Sequence, residues 1–262
     1  MSNFFATEGE RLIRLLISII ILVTYYYKFL NWVRDFWVAR IAKKVGDFYK
    51  GKTNWKLFDV ENVVTLMVSI LLQFGLFIIL GIVLDFDFHS LFPDTFLLLP
   101  LFLGILLGFS EMALASGFVL VVMRLMILLK PSAPTSNHYW FILLNSGWMR
   151  LFSRAEALLP KWQARILVAG YVGVEEIIYR PVYISALLPF GKVIALLVST
   201  VIFAGYQIFN VPNARAAIYP MIGALVLGLV NGSIFIHTGL IWPLVVAHIV
   251  FFISVSNSVD RS

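Results

Sequence analysis

The chain has 262 residues, of which 61% are hydrophobic and only 13% charged. A soluble domain is nearer half apolar and a quarter charged, so this composition, with a mean hydropathy of +0.93, excludes a soluble globular protein and predicts an integral membrane protein with several spans. The net charge of +6 would suggest nucleic acid in a soluble protein, and the absence of cysteine excludes disulfides, thiolate metal sites and cysteine nucleophiles. Here the lysines and arginines cluster in loops, where topology and anionic headgroups account for them, so membrane lipids and not nucleic acid are the expected partners.

Met1 to Arg14 carries Glu8, Glu10, Arg11 and Arg14, and no small-residue cleavage site follows, so no removable signal peptide is read. The first apolar run, about Leu15 to Leu30, ends in Tyr25-Tyr26-Tyr27, a cluster that suits a membrane interface. It is short for a span but sufficient with tilt, an interfacial or re-entrant helix being the alternative. Lys28, Arg34, Arg40, Lys43, Lys44, Lys50, Lys52 and Lys56 then interleave with Phe36, Trp37, Val38, Ile41 and Phe48. That pattern predicts an amphipathic helix lying on the cytoplasmic surface and closing a first region, residues 1–62.

Residues 63–164 read as accessory membrane helices and a cytoplasmic loop. A span over about Val63 to Leu84 is followed by an acidic outside loop with Asp85, Asp87, His89 and Asp94, in which His89 is a solvated histidine. Thr95 to Lys130 is read as one long tilted crossing and not two short passes. The loop before it is acidic, and the loop after it is basic with Lys130, Arg150, Arg154, Lys161 and Arg165. Glu111 falls inside this crossing, paired or protonated, with a structural role. Pro131, Pro134 and Ser136-Asn137 mark a second cytoplasmic loop. An amphipathic helix over His138 to Phe152 would turn Trp140, Phe141, Leu144 and Trp148 to the bilayer, with His138 at the surface.

The last hundred residues predict spans over about Arg165–Leu188, Val193–Phe209, Ile218–Ile236 and Leu240–Val255, joined by loops short enough to make sequential helices antiparallel neighbours. Gly223, Ala224, Gly228 and Gly232 allow close helix approach. The expected fold is all-α, with about six or seven transmembrane helices and a four-helix core over residues 165–256. Seven crossings put the N-terminus outside, six put it inside, and both put the C-terminus in the cytoplasm.

Within that core, Val174 to Pro181 carries two adjacent carboxylates and an arginine in apolar sequence. Ionisable groups in hydrocarbon cost about 2.5–3.5 kcal/mol each on insertion scales and are kept where they pair, line a wet cavity or do chemistry. Glu176 and Arg180 are four residues apart and share a helix face, so they can pair. Glu175 lies about 100° further round and is not matched by that arginine. At about 1.5 Å per residue Glu175 sits roughly 15 Å beyond Arg165, near the level expected for Gln207 and His248 in later spans. The three side chains can face one another, and a glutamate beside a histidine can activate water as a general base. Their other reading is interhelical hydrogen bonding, with Asn231 also as packing glue. His237 and His248 are not a ligand pair at helical spacing, and one carboxylate, one histidine and one glutamine make a poor zinc site, so neither metal nor cofactor is expected. Ser185 and Ser199 lack the Gly-x-Ser-x-Gly frame of a nucleophile elbow.

These residues resemble the CPBP family of intramembrane glutamic endopeptidases, which includes CAAX prenyl proteases and bacteriocin-processing or immunity (Abi) proteins. The family's Glu-Glu-x-x-x-Arg is present as Glu175-Glu176-x-x-x-Arg180. Its Phe-x-x-x-His is met by Phe203-Ala204-Gly205-Tyr206-Gln207, with glutamine in place of histidine. Its His-x-x-x-Asn/Asp begins at His248, after Thr238-Gly239-Leu240-Ile241-Trp242-Pro243, and ends on Phe252. The similarity runs from about Ile166 to Val255. It implies a cytosol-facing cavity with Glu175 as general base, Glu176 and Arg180 in support, and His248 and Phe252 where the family builds its oxyanion site. The substrate implied is a membrane-tethered peptide or protein, in the bacterial cytoplasmic membrane or an equivalent organelle membrane. Glutamine cannot shuttle protons and phenylalanine cannot donate a hydrogen bond. Two functions therefore stand: an intramembrane endopeptidase, slowed or altered by Gln207 and Phe252, or a catalytically inactive relative that binds a membrane partner through the same cavity. Tyr206 and Asn257 are nearby candidates to compensate, though nothing in the sequence shows that either does.

Overall fold

The computed structural model describes residues 7–49, 56–92, 98–129, 155–156, 158–210 and 217–259. Lys50, Lys52, Asp94, residues 130–154 with His138 and the helix expected over His138 to Phe152, and residues 211–216 lie outside the described residues, as does the side chain of Asn257. Among the described residues every regular element is helical.

The N-terminal third departs from its expected two-part form. α1 (Glu8–Thr24) runs through a π turn (Tyr25–Phe29) into α2 (Leu30–Val33), a second π turn (Arg34–Val38) and α3 (Ala39–Tyr49), an unbroken helix of 42 residues. Thr7 caps it by accepting a hydrogen bond from the Glu10 backbone N–H at 3.3 Å, and Glu8 and Glu10 in the first turn suit the positive end of the helix dipole. The basic stretch is thus the continuation of the first apolar run and not a separate surface helix. α4 (Leu57–Val83) lies antiparallel along it. Arg11 and Arg14 meet Leu84 to Asp87 at one end, while Val38 and Ala42 pack on Val60 and Val64 at the other. This pairing also corrects the tyrosine cluster: Tyr25 and Tyr26 are buried in the core and only Tyr27 is exposed. A π turn holds an extra residue and so rotates the buried face at that point.

After a short turn at Phe88–Leu91 comes α5 (Leu98–Leu129), a single continuous helix as its flanking charges predict. α6 (Lys161–Ile177) passes through a π turn (Ile178–Val182) into α7 (Tyr183–Leu187). Pro181 explains the turn: it has no N–H to give and its ring crowds the carbonyl four residues back, so the regular helical ladder cannot continue. α8 (Lys192–Tyr206), a final turn at Gln207–Asn210, α9 (Ile218–Thr238) and α10 (Trp242–Val259) complete the chain.

Short loops do not decide the packing here. α8 and α9 are close neighbours, as expected, and an added Cβ at Gly228 would lie 2.5 Å from the Thr200 side chain. α10, however, packs chiefly on α5 and α6 and hardly on α9, its neighbour in sequence. Two glycines make this possible: a Cβ at Gly104 would lie 2.3 Å from the Pro243 carbonyl oxygen, and one at Gly108 2.4 Å from that of Ala247. The Trp242 indole N–H donates to the Leu91 carbonyl at 2.8 Å and ties the start of α10 to the turn before α5.

Among the described residues, five helical stretches are long and apolar enough to cross a membrane: Glu8–Tyr49, Leu57–Val83, Leu98–Leu129, Lys192–Phe209 and Ile218–Thr238. Trp242–Val255 is apolar but shorter, and α6, with its buried charges, is not among the five.

Candidate active site

Glu175 and Glu176 close the last turn of α6, and Arg180 follows within the Pro181 π turn. The Arg180 Nε–H donates to Glu176 Oε1 at 2.9 Å, with both side chains fully buried. His248 on α10 places Nδ1 3.0 Å from Glu176 Oε2. Both oxygens of Glu176 are thus engaged, one by the arginine four residues on and one by a histidine from another helix. A carboxylate in a dry interior is kept by such pairing.

Glu175 faces elsewhere, as its helical position predicts. Its Oε1 accepts a hydrogen bond from the Tyr206 hydroxyl at the end of α8. Tyr171 lies one turn before it on α6, and Gln73 of α4 approaches the same carboxyl, although neither polar atom of the Gln73 amide completes a hydrogen bond. A stack of rings backs this arrangement. Tyr206 lies face to face with Tyr26 at 4.6 Å between centroids and with Tyr179 at 5.3 Å. Phe203 sits between the two carboxylate systems, its ring 4.9 Å from the Arg180 guanidinium carbon and edge-on to His248 at 5.9 Å.

Glu175, Gln207, His248, Phe203 and Phe252 line one cavity of about 70 Å³, floored by Gly223 and Ala224 of α9. That space suits a few water molecules and is small beside the ~300–1,000 Å³ of a ligand pocket. The absent Cβ at Gly223 leaves room for the Phe251 ring, which a methyl there would meet at 3.1 Å. Glu176 and Arg180 stand behind the cavity and do not line it. The structure therefore brings together the cavity-lining residues singled out in the sequence, with the remaining two in contact behind them. His248 is bound through Glu176 and not through Glu175. Sequence reasoning missed Gln73, Tyr26 and Tyr171 around Glu175. The run Tyr25-Tyr26-Tyr27 bears on the site through ring packing, since Tyr26 stacks on the Tyr206 ring whose hydroxyl donates to Glu175.

The stretch of sequence that carries most of these groups matches a known family. Residues 156–253 match the family model described as Type II CAAX prenyl endopeptidase Rce1-like. The Rce1-like segment begins just ahead of α6, ends within α10 and takes in Glu175, Glu176, Arg180, Gln207 and His248. It leaves out Tyr26 and Gln73, which approach the site from the first π turn and from α4. The chain is an integral membrane protein, and residues 156–253 of it are similar to this family. No curated protein and no solved structure matches it.

Proposed function

We propose that the protein is an intramembrane endopeptidase that uses Glu175 to activate water against a peptide bond near the end of a membrane-tethered substrate. The observation that carries this reading is the division of labour between adjacent carboxylates. Glu176 is consumed by Arg180 and His248, whereas Glu175 opens onto the cavity with one oxygen held by Tyr206. Glu175 takes a proton from water and the water oxygen attacks the scissile carbonyl carbon. Charge gathers on the carbonyl oxygen. His248, held at Nδ1 by Glu176, has Nε2 for that oxygen and donates there when the ring carries both protons. Collapse breaks the C–N bond, and the proton on Glu175 passes to the leaving amine.

Gln207 and Phe252 favour a second reading, a cavity that binds its partner without cutting it. A histidine at position 207 would share the proton traffic, and such groups contribute about 10²–10⁴-fold. A donor at position 252 would be worth about 10²–10³-fold. Tyr206 offsets part of this deficit by orienting Glu175, which supports slow turnover over none. The two readings separate in one assay. Purified protein in lipid nanodiscs is offered peptides with a prenylated cysteine near the C-terminus, and products are read by mass spectrometry. Cleavage by wild type and not by Glu175→Gln supports the peptidase. Binding of the peptides by both proteins, without cleavage by either, supports the scaffold.

A further inference from the structure

Tyr206, whose hydroxyl donates to Glu175, is the last residue of α8 before the chain passes into the turn Gln207–Asn210. Helix ends fray, and a donor on such an end keeps one direction only where its ring is packed. The Tyr206 ring meets Phe203 at 5.8 Å and Tyr179 at 5.3 Å between centroids, both within residues 156–253. It meets Tyr26 at 4.6 Å, the shortest of these distances, with the two planes 25° apart. The closest stack on Tyr206 thus comes from the first helix, outside the family segment. Tyr26 is itself buried and is held edge-on by Tyr25 at 4.8 Å. Its hydroxyl has no hydrogen-bond partner among the described residues, so the ring is what it brings to this contact. The next residue, Tyr27, meets the Phe209 ring at 6.3 Å. The π turn Tyr25–Phe29 therefore packs on the end of α8 and its turn, touching the chain just before and just after the cavity-lining Gln207.

We propose that Tyr26 is a positioning residue of the site: its ring clamps the phenol of Tyr206 and so keeps the Tyr206 hydroxyl on Glu175. The order of contact is Tyr26, Tyr206, Glu175, running from the first π turn through the end of α8 to α6. Stacking suits this task. Two phenol faces in contact fix each other's plane, whereas an aliphatic side chain fills the same space and leaves the plane free to turn. Misplacing a catalytic group by about 1 Å can cost a hundredfold in rate, so the plane of a ring that carries a donor matters. π turns recur at functional sites, and this one faces the last turn of α8. The first helix then belongs to the active site and does more than flank it.

The clamp bears on catalysis only on the peptidase reading, on which that part of it rests, but the geometry can be tested without turnover. Full-length protein in nanodiscs is prepared with glutamate isotope-labelled at the side-chain carboxyl, and the Glu175 signal is assigned with Glu175→Gln. Tyr206→Phe removes the donor and should displace that signal. Tyr26→Leu removes the stacked ring and should displace it in the same direction, while Tyr26→Phe keeps the ring and should return it toward wild type. Added to Tyr206→Phe, Tyr26→Leu should displace it no further, because the ring acts through the hydroxyl. If Tyr26→Leu fails to fold, Tyr26→Met serves instead, filling the space without a ring. An unmoved Glu175 signal in a folded Tyr26→Leu or Tyr26→Met protein overturns the proposal. So does a displacement of equal size with and without the Tyr206 hydroxyl, which is the mark of packing alone. If prenylated peptides are cleaved, Tyr26→Leu should also lower kcat by about tenfold to a hundredfold with KM unchanged, the scale of one hydrogen bond to a charged group. A Glu175 signal that follows Tyr26 as described, with no cleavage by wild type, would sink the peptidase reading alone. Cleavage by wild type with a Glu175 signal indifferent to Tyr26 would sink the clamp alone.

Discussion

Glu175 and Glu176 are neighbours with different partners, because successive residues of a helix point about 100° apart. The pairing of Glu176 with Arg180 was legible from their spacing, because residues four apart share a helix face. Its second partner, His248, was not, since contacts across 72 residues depend on which helices meet. The Tyr206 hydroxyl on Glu175 was visible only as a nearby candidate to offset the loss of histidine at position 207. The two departures from the family pattern lead to a prediction at this scale. Gln207→His places a proton-carrying ring on the wall of the cavity that holds Glu175, and Phe252→Asn adds a donor to the same wall. If Glu175 works on water, Gln207→His should raise the rate on a cleavable peptide by about tenfold or more. The double variant should exceed it. Rates no higher than wild type in both would mean that these positions do not limit the reaction.

At the scale of elements, the existence of the C-terminal helices followed from hydrophobic runs, and their boundaries from Pro, Gly and polar punctuation. Partner choice did not follow. The short His237-Thr238-Gly239 connection suggested that α9 and α10 pair, yet α10 lies between α5 and α6. Gly104 and Gly108 carry that information, and in sequence they looked only like interruptions of a long apolar run. Gly104→Ala should therefore be costly, because its Cβ would meet a backbone carbonyl that cannot rotate away. Overpacking of this kind costs about 1–3 kcal/mol. A thermal shift assay in detergent should show a lower melting temperature for Gly104→Ala. Gly117→Ala, where a Cβ meets nothing within 4 Å, should melt close to wild type. Equal losses at both positions would argue against the close α5–α10 contact. The first helix taught the same lesson from the other side. Its basic, aromatic second half has the composition of a surface helix, yet it continues the first half and packs Val38 and Ala42 on Val60 and Val64 of α4.

The whole molecule is a bundle in which an N-terminal helix of 42 residues and α4 stand beside the segment that matches the family model. The antiparallel register of these two helices sets which parts of the chain share an end. Glu10 and Ser90 belong to one end, and Lys44 and Lys161 to the other, and all four are exposed. Because the chain contains no cysteine, single cysteines at these positions report directly. A membrane-impermeant thiol reagent added to sealed vesicles should label Glu10→Cys and Ser90→Cys from one side, and Lys44→Cys and Lys161→Cys only from the other. Labelling of Glu10→Cys together with Lys44→Cys would return the first helix to the membrane surface. Composition revealed the membrane, and the motif order revealed the core. The joining of residues from α1, α4 and α5 to that core lay beyond sequence reading, because helix faces in lipid are chosen by shape and by single polar contacts and not by hydrophobicity.

The central claim is that Glu175 performs proteolysis inside this cavity. Profiling the N- and C-termini of membrane proteins, in cells carrying wild type or Glu175→Ala at equal abundance, tests it most directly. The account predicts termini that are present with wild type, vanish with Glu175→Ala and reappear on re-expression of wild type. Identical termini in the two cells, with the loss of the protein rescued by Glu175→Ala, would contradict it and leave a binding scaffold.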